Sequence, residues 1–401
     1  MRAMTVGALV ALLALAPAAH AADSVGKAGE KGAPFAQAWG ADNVGQLGNG
    51  APNSGTNVPV TVSNLTGITG LAAGLDFSLA LLSDGTVWAW GSDNNGQLGN
   101  GGTNTNSSVP VQVPNLTGVK AIAAGDQFAL ALLKDGTVRS WGDDDNGQLG
   151  DGGTNTDSPV PVTVTDLRGV TAISGGDDHS LALLRDGTVR SWGDDDNGQL
   201  GDGGTNTDSP VPVTVSNLTR VQGVAAGGNH SLAFLRNGTV RSWGDDSSGQ
   251  LGDGGTNTDS PVPVTVSDLT GVRAVAAGRF HSLALLKDGT VRSWGRDASG
   301  QLGDGGTNTD SPVPVTVSNL TGVKAIATTE DHNLAIRSFC DCGKRGDKTD
   351  STGNIVFAWG ENGSGQLGNG STTDANVPVA AVTAIKNVAH IAAGGAHSLA
   401  A

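Results

Sequence analysis

Residues 243–252 read Trp-Gly-Asp-Asp-Ser-Ser-Gly-Gln-Leu-Gly, and the pattern of Trp-Gly followed by Gly-Gln-Leu-Gly recurs seven times along the chain. Its tryptophans are Trp39, Trp90, Trp141, Trp192, Trp243, Trp294 and Trp359. Five of the six intervals between them are 51 residues and the last is 65, so one repeat carries a 14-residue insertion. This period is typical of solenoids and propellers, whose units bury their apolar faces only against neighbouring units.

The composition fits one repeat domain. The 401-residue chain contains 63 glycines, 8 tryptophans and no tyrosine. Because the glycines fall at the same register in every repeat, they predict turns rather than disorder. We expect a single domain over residues 35–401, with an insertion loop at about 338–352.

One repeat predicts four strands, ordered from the inside to the outside of a radial array. Val221 to Gly227 is rich in small residues, which suits a crowded innermost strand. His230 to Leu235 follows as the second strand and Thr239 to Trp243 as the third. Pro261 to Val264 predicts the outermost strand, because proline cannot donate to a ladder. Asn-Gly or Asp-Gly between the second and third strands predicts a type I′ hairpin at 84–85, 135–136, 186–187, 237–238 and 288–289.

The two ends of the domain predict closure into a ring. The domain begins with a Trp-Gly strand (35–40) and a Pro-Val strand (58–62), and it ends on the His-Ser-Leu strand at 397–401. Each end therefore holds half of a four-stranded unit. We predict an all-β, seven-bladed β-propeller of four-stranded blades, closed by pairing of N- and C-terminal strands, which removes exposed sheet edges.

Residues 1–21 predict a signal peptide. Arg2 precedes an apolar run from Val6 to Leu15, and residues 19–21 (Ala-His-Ala) have the form of a cleavage site. Residues 22–34 then form a lead-in that we expect to be flexible. Because no later stretch stays apolar for about 18 residues, we expect no membrane span and a monomer that is secreted or held at the cell surface.

Two motifs carry a family resemblance. Trp-Gly-x-Asn/Asp-x-x-Gly-Gln-Leu-Gly and Ala-Ala-Gly-x-x-His-Ser-Leu-Ala-Leu recur in phase over residues 35–401 and resemble the regulator of chromosome condensation repeat. The resemblance implies a seven-bladed propeller, here of a secreted bacterial type. Relatives of this family include an exchange factor for the Ran GTPase that docks on chromatin, a plant ultraviolet-B photoreceptor and secreted β-lactamase inhibitors, so the fold does not select one activity.

Charge and compartment discriminate among those activities. The chain has 23 Lys+Arg against 38 Asp+Glu and a net charge of −15 at pH 7, which argues against a nucleic-acid partner. The signal peptide argues against a nuclear GTPase as partner. A photoreceptor face needs extra tryptophans, and only Trp88 lies outside the seven signature positions. An inhibitor of a secreted enzyme remains compatible with the expected compartment.

The near-identical repeats disagree most in the turn between the first and second strands. On the predicted topology these turns circle the mouth of the central channel, and the loops between third and fourth strands share their face. Arg279 and Phe280 lie in the same repeat as Arg296, and an arginine and an aromatic within an acidic rim are typical of an interface anchor. The predicted protein-binding residues are Leu75, Asp76, Asp126, Gln127, Asp177, Asp178, Asn229, Arg279, Phe280, Arg296, Glu330 and Asp331.

No residue pattern predicts catalysis, a cofactor or a metal site. One repeat position holds a histidine in five repeats but a phenylalanine in the first two, which favours packing over metal ligation; its residues are Phe77, Phe128, His179, His230, His281, His332 and His397. The Asp-rich loops at 143–147 and 194–198 resemble calcium loops. However, Gly142 stands where the first carboxylate ligand should be, so the ligand alternation fails and only weak calcium binding stays open.

The insertion contains both cysteines of the chain, Cys340 and Cys342, among basic residues such as Lys344 and Arg345. In an oxidising compartment a local disulfide between them is our first expectation, although residues two apart bridge only with a sharp bend. Intermolecular pairing and free thiols are the alternatives. Two thiolates without two further ligands do not make a structural zinc site.

We therefore expect a secreted, non-enzymatic protein-protein interaction module that presents loops on one propeller face. The alternatives are an inhibitor of a secreted enzyme such as a β-lactamase, a structural cell-surface protein, and, by family analogy only, a regulator that resembles a guanine-nucleotide exchange factor. The sequence does not name the protein partner.

Overall fold

The computed structural model describes residues 35–51, 54–340, 352–381 and 387–401. These residues form strands β1 to β28, grouped in seven antiparallel four-stranded sheets, and contain no helix, so none of their segments is a helix able to cross a bilayer. The predicted seven-bladed β-propeller is confirmed. The predicted signal peptide (1–21) and lead-in (22–34) lie outside the described residues.

Each blade has the predicted strand order. The innermost strands are β3 (Ile68–Ala73), β7 (Val119–Ala124), β11 (Val170–Gly175), β15 (Val221–Ala226), β19 (Val272–Ala277), β23 (Val323–Thr328) and β27 (Ile391–Ala393). The second strands are β4 (Phe77–Leu82), β8 (Phe128–Leu133), β12 (His179–Leu184), β16 (His230–Leu235), β20 (His281–Leu286), β24 (His332–Cys340) and β28 (His397–Ala400). The small residues of the innermost strands line the central channel.

The Trp-Gly strands come third and the Pro-Val strands come last. The third strands are β1 (Gln37–Gly40), β5 (Val87–Gly91), β9 (Val138–Gly142), β13 (Val189–Gly193), β17 (Val240–Gly244), β21 (Val291–Gly295) and β25 (Thr352–Gly360). The outermost strands are β2 (Thr56–Thr61), β6 (Ser107–Gln112), β10 (Ser158–Thr163), β14 (Ser209–Thr214), β18 (Ser260–Thr265), β22 (Ser311–Thr316) and β26 (Ala375–Ala380). Blades 1 to 6 are β3–β6, β7–β10, β11–β14, β15–β18, β19–β22 and β23–β26.

Blade 7 closes the ring from both ends of the domain, as predicted. Its sheet order is β2-β1-β28-β27, so two N-terminal strands pair with two C-terminal ones. The central ladder pairs Gln37 with Ala400 and Gly40 with His397. Gly40 has φ +106°, and a Cβ there would lie 2.4 Å from the carbonyl oxygen of Ala396, so this junction requires glycine.

The signature tryptophans join neighbouring blades. Trp90 of blade 1 is fully buried against Leu47 and Leu399 of blade 7, and a Cβ on Gly48 would lie 2.7 Å from its ring. Every signature indole donates its Nε1–H, over 2.8–3.0 Å, to the backbone carbonyl of the glutamine in the Gly-Gln-Leu-Gly loop of the preceding blade. The Trp-Gly and Gly-Gln-Leu-Gly motif therefore specifies one interface between blades, and this interface is repeated around the propeller.

The turn between the second and third strands differs from the type I′ prediction. Only Gly238 has positive φ (+82°), and its N–H donates to Leu235 over 2.8 Å, which is a type I turn followed by a left-handed glycine. The Asn237 side chain accepts a hydrogen bond from the Thr239 N–H at 3.1 Å. This local bond holds Asn237 in the right-handed region.

The insertion lengthens one hairpin. Strands β24 and β25 have nine residues each, and the Arg337 guanidinium lies 5.5 Å from the ring centre of Phe357 across them. Residues 341–351 lie outside the described residues, as do the Cys340 side chain and all of Cys342. The disulfide between them therefore stays a prediction.

Candidate functional site

We call the face that carries the turns between first and second strands the turn face. The Gly-Gln-Leu-Gly loops lie on the same face, as predicted, because their glutamines reach those turns. Gln46 Nε2 donates to Asp76 Oδ1 at 2.9 Å, and Gln148 Nε2 donates to Asp178 Oδ1 at 3.1 Å. The equivalent bond to Asp331 Oδ1 comes from Gln301 at 2.8 Å.

These glutamine-to-aspartate hydrogen bonds give three of the predicted binding residues a structural role. Asp76, Asp178 and Asp331 fix the loop of the preceding blade and are half-buried. Gln127 and Asn229 are also half-buried and lie at the position of Asp76 in blades 2 and 4, and the half-buried Leu75 directly precedes Asp76. The structure brings the remaining six predicted residues into two adjoining groups.

The first group closes the channel mouth. Asp126, Asp177 and Glu330 come from blades 2, 3 and 6, and their carboxylates have ligand atoms within 4.8 Å of one another. Arg279 of blade 5 contacts two of them: its Nη1 lies 3.1 Å from Glu330 Oε2 and its Nε lies 3.7 Å from Asp177 Oδ2. The channel below is lined mainly by Ala, Gly and Ser and holds about 60 Å³, so charge is concentrated at its mouth.

One arginine does not neutralise three carboxylates. Burial, followed by the charge of Asp177, raises the pKa of Asp126 well above its ordinary value. Burial, followed by the charge of Glu330, raises the pKa of Asp177 to about 7, and a hydrogen bond joins the two aspartates. Burial also raises the pKa of Glu330, while Arg279 lowers it. The mouth therefore retains a proton near neutral pH.

Replacing Asp126 by asparagine should stabilise the protein at pH 8. The raised folded pKa means that the ionised carboxylate destabilises the folded state, and this penalty is released as pH falls toward the unfolded value of about 4. We expect the free energy of unfolding of Asp126→Asn to exceed that of the parent at pH 8 and to match it below about pH 4. Urea unfolding at both pH values measures this, with Asp166→Asn as control, because Asp166 is exposed and asparagine stands at the equivalent positions 64, 115, 217 and 319.

The second group is a stacked triplet on blade 5. The guanidinium carbons of Arg279 and Arg296 each lie 5.4 Å from the ring centre of Phe280. The Arg279 side chain is 45% exposed and Phe280 is half-buried, so the triplet is accessible from solvent. Such cation–π contacts fix an aromatic ring before any ligand arrives.

The repeated histidines form bonds between blades. His179, His230, His281, His332 and His397 are fully buried. Ser231 Oγ donates to the Gln199 carbonyl at 3.0 Å, so its proton is used, and His179 Nε2, 2.9 Å away, must donate to Ser231 Oγ. The histidines serve blade packing, as their exchange with phenylalanine indicated, and none belongs to a group with metal-ligand spacing among the described residues.

The Asp-rich loops gather carboxylates that lie apart in sequence. Asp143 and Asp145 approach Asp157 from the far end of the same loop, with ligand atoms within 4.8 Å. Residues 194, 196 and 208 repeat this arrangement in blade 3. Burial, then the charge of Asp157, raises the pKa of Asp143 to about 6. Calcium binding by these loops stays a prediction; the sequence reasoning had not included Asp157.

Comparison with known proteins agrees with this architecture. The chain is 33% identical over 354 residues to the ultraviolet-B receptor UVR8 of Arabidopsis thaliana, covering 85% of this chain and 76% of UVR8. It is 34% identical over 378 residues to the human E3 ubiquitin-protein ligase HERC2, covering 90% of this chain but only 7% of HERC2.

Solved structures match over nearly the whole ring. Prp20p of Saccharomyces cerevisiae, described with its binding to Gsp1p and histones, superposes with a TM-score of 0.79 at 25% identity, over 91% of this chain and 90% of Prp20p. Human WBSCR16 superposes with a TM-score of 0.78 at 26% identity, over 92% of this chain and 99% of that structure. The family model for the RCC1-like domain matches residues 36–400. With its seven closed blades and its repeated Trp–Gln interface, this chain belongs to the RCC1-like domain family.

Proposed function

We propose that this protein is an exported, non-enzymatic interaction module that captures a protein partner on its turn face, with Phe280 as the anchor. The observation that supports the proposal is the contact of the Phe280 ring with the guanidinium groups of both Arg279 and Arg296 on a solvent-accessible surface. Arginine and aromatic residues dominate the binding energy of protein interfaces, and a preformed stack lowers the ordering cost of association.

The location of the triplet strengthens this proposal. In the neighbouring blades the position of Arg296 is held by acids, Asp245 and Glu361, and the position of Phe280 by Asn229 and Asp331. Blade 5 thus places two cations and an aromatic ring in an otherwise acidic face. The description of Prp20p with its protein ligands Gsp1p and histones supports capture of proteins by this fold.

The test replaces Phe280 by asparagine, the residue that blade 4 carries at this position. Arg279 is kept, because its removal would leave Asp177 and Glu330 without their cation. We expect a partner captured from the secretome and cell envelope by the parent to bind Phe280→Asn at least tenfold more weakly in a binding titration. The control is Asn229→Ala at the same position of blade 4. Equal affinity of Phe280→Asn and the parent would exclude Phe280 as the anchor.

A further inference from the structure

The charge of this protein is divided between its two faces. We call the side opposite the turn face the hairpin face; it carries the turns between second and third strands and the connections to the next blade. Six described aspartates lie in the turns and connections of the hairpin face: Asp84, Asp135, Asp166, Asp186, Asp268 and Asp288. The backbone carbonyls of four more, Asp151, Asp202, Asp253 and Asp304, accept hydrogen bonds from residues just after the outermost strands. Conversely, Arg279 and Arg296 are the only described arginines or lysines on the turn face.

The hairpin face is most basic at blades 3 and 4. Arg168, Arg185, Arg220 and Arg236, which we call the arginine patch, are all exposed. The described salt bridges involve Arg279 alone, and none of the four side chains makes a hydrogen bond among the described residues. Four guanidinium groups are therefore available to a ligand.

Backbone contacts bring these four residues together. The Arg185 N–H donates to the Gly169 carbonyl at 3.0 Å, directly after Arg168, and the Arg236 N–H donates to the Arg220 carbonyl at 3.0 Å. The two blades meet where the Val221 N–H donates to the Gly187 carbonyl at 3.1 Å. The patch is thus continuous across the blade boundary.

Three departures from the repeat create this patch. Arg168 replaces a threonine found in every other complete repeat, at positions 66, 117, 219, 270 and 321. Arg220 replaces a glycine found at positions 67, 118, 169, 271 and 322. Asn237 replaces the aspartate found at positions 84, 135, 186 and 288, and so removes a carboxylate beside Arg236. Each change makes the same surface more positive.

Arg220 also departs from the repeat in its backbone. Its φ is +61°, in the left-handed region that the equivalent glycines adopt without strain. An arginine here costs about 1 kcal/mol relative to its usual conformations. Strain at a charged, exposed residue indicates a task outside the fold.

We propose that the arginine patch docks on the acidic turn face of a second copy of this chain, in a head-to-tail contact. The two surfaces have opposite charge, and the planar guanidinium group matches the carboxylates of the Asp-rich loops. Six-residue strands separate the two faces by about 20 Å, more than two Debye lengths at physiological salt. Each face therefore interacts according to its own charge rather than the net charge.

The composition of the patch argues against an apolar contact. The exposed large apolar residues of the described chain are Phe35 in blade 7 and valines of the outermost strands, so the patch lacks an apolar anchor. The contact therefore rests on charge and should be sensitive to salt. A contact between unlike faces leaves one free face at each end, so it propagates into short stacks rather than stopping at a symmetric dimer.

Sedimentation velocity of the full chain tests this proposal. At 150 mM NaCl, where the two faces are screened from each other, we expect the average mass to rise with protein concentration, and at 1 M NaCl we expect the mass of one chain. The variant Arg168→Thr/Arg185→Ser/Arg220→Gly/Arg236→Ser should associate at least tenfold more weakly. Each new residue already occupies the equivalent position of another blade, so urea unfolding should show a folded protein.

Mixing the variant with the parent tests the head-to-tail geometry. The variant keeps its acidic face, so it should bind the patch of the parent and cap its stacks, which a patch-to-patch contact would not allow. Three results would overturn the proposal: one-chain mass at 150 mM NaCl at every concentration, unchanged association of the variant, or retention on heparin without self-association, which would assign the patch to a polyanion.

Discussion

Replacing Trp90 by alanine should lower the free energy of unfolding by about 3–5 kcal/mol, whereas replacing Trp88, two residues earlier in strand β5, should cost about 1 kcal/mol. Trp90 is fully buried, and its indole N–H donates to the Gln46 carbonyl at 2.9 Å. Trp88 is half-buried and donates only to Thr86 Oγ1, at 3.3 Å.

The reason for this difference is the interface that Trp90 fills. The indole of Trp90 packs between blade 1 and blade 7, so its loss leaves a cavity where the propeller closes. Urea unfolding of the parent and both variants under identical conditions measures the difference. Equal costs for the two tryptophans would show that the repeated signature is not the main source of cohesion between blades.

Replacing His230 by phenylalanine together with Ser282 by alanine should change how stability depends on pH. His230 Nε2 lies 2.8 Å from Ser282 Oγ, and Ser282 Oγ donates to the Gln250 carbonyl at 3.0 Å. Burial, then the charges of His179 and His281, lowers the pKa of His230 to about 3. The pair Phe77 and Ala129 already replaces this arrangement between blades 1 and 2.

The sign of the effect follows from proton uptake. His230 stays neutral in the folded protein, while in the unfolded chain it binds a proton below about pH 6.5. Acidification from 6.5 to 3 therefore removes about 1.4 kcal/mol per pH unit, or about 5 kcal/mol in all, for this one histidine. The aspartates with raised pKa act in the opposite direction, so the parent alone does not isolate the effect.

The difference between variant and parent isolates it. As the pH falls from 6 to 4, we expect the free energy of unfolding of the double variant, minus that of the parent, to increase by about 1.4 kcal/mol for each pH unit. Chemical denaturation at several pH values measures this slope. Parallel pH profiles would mean that His230 is protonated in the folded state or that its burial is not maintained in solution.

Sequence repetition predicted the architecture because each repeat specifies the same interface. Equivalents of Trp90, Gly48 and Gln46 recur with constant spacing, so every pair of neighbouring blades makes the same contact and the blades form a ring. The half-blades at the two ends of the domain indicate that this ring is closed. The type I′ turn was wrong at Asn237 because a side-chain bond to Thr239 competes with the dipeptide rule. This hydrogen bond depends on Thr239, which lies outside the Asn-Gly dipeptide that predicted the turn.

The site was only partly predictable for a different reason. Arg279 and Phe280 stand out from their repeats, so sequence located the anchor candidates. The contact of Asp126 with Glu330 across the mouth depends on ring curvature, which no local pattern encodes. Likewise, the net charge sums over the whole surface, so it concealed the local arginine patch.

Closure of the ring by blade 7 also constrains how the protein is made. Strands β1 and β2 are synthesised before the other blades, yet β1 pairs with β28, whose residues 397–400 follow all six of those blades in the sequence. The early strands must wait without their central ladder while six complete blades are translated. Pairing over such a sequence separation is slow, so Pro59, which removes a donor from β2, helps to keep this segment from pairing with other chains during synthesis.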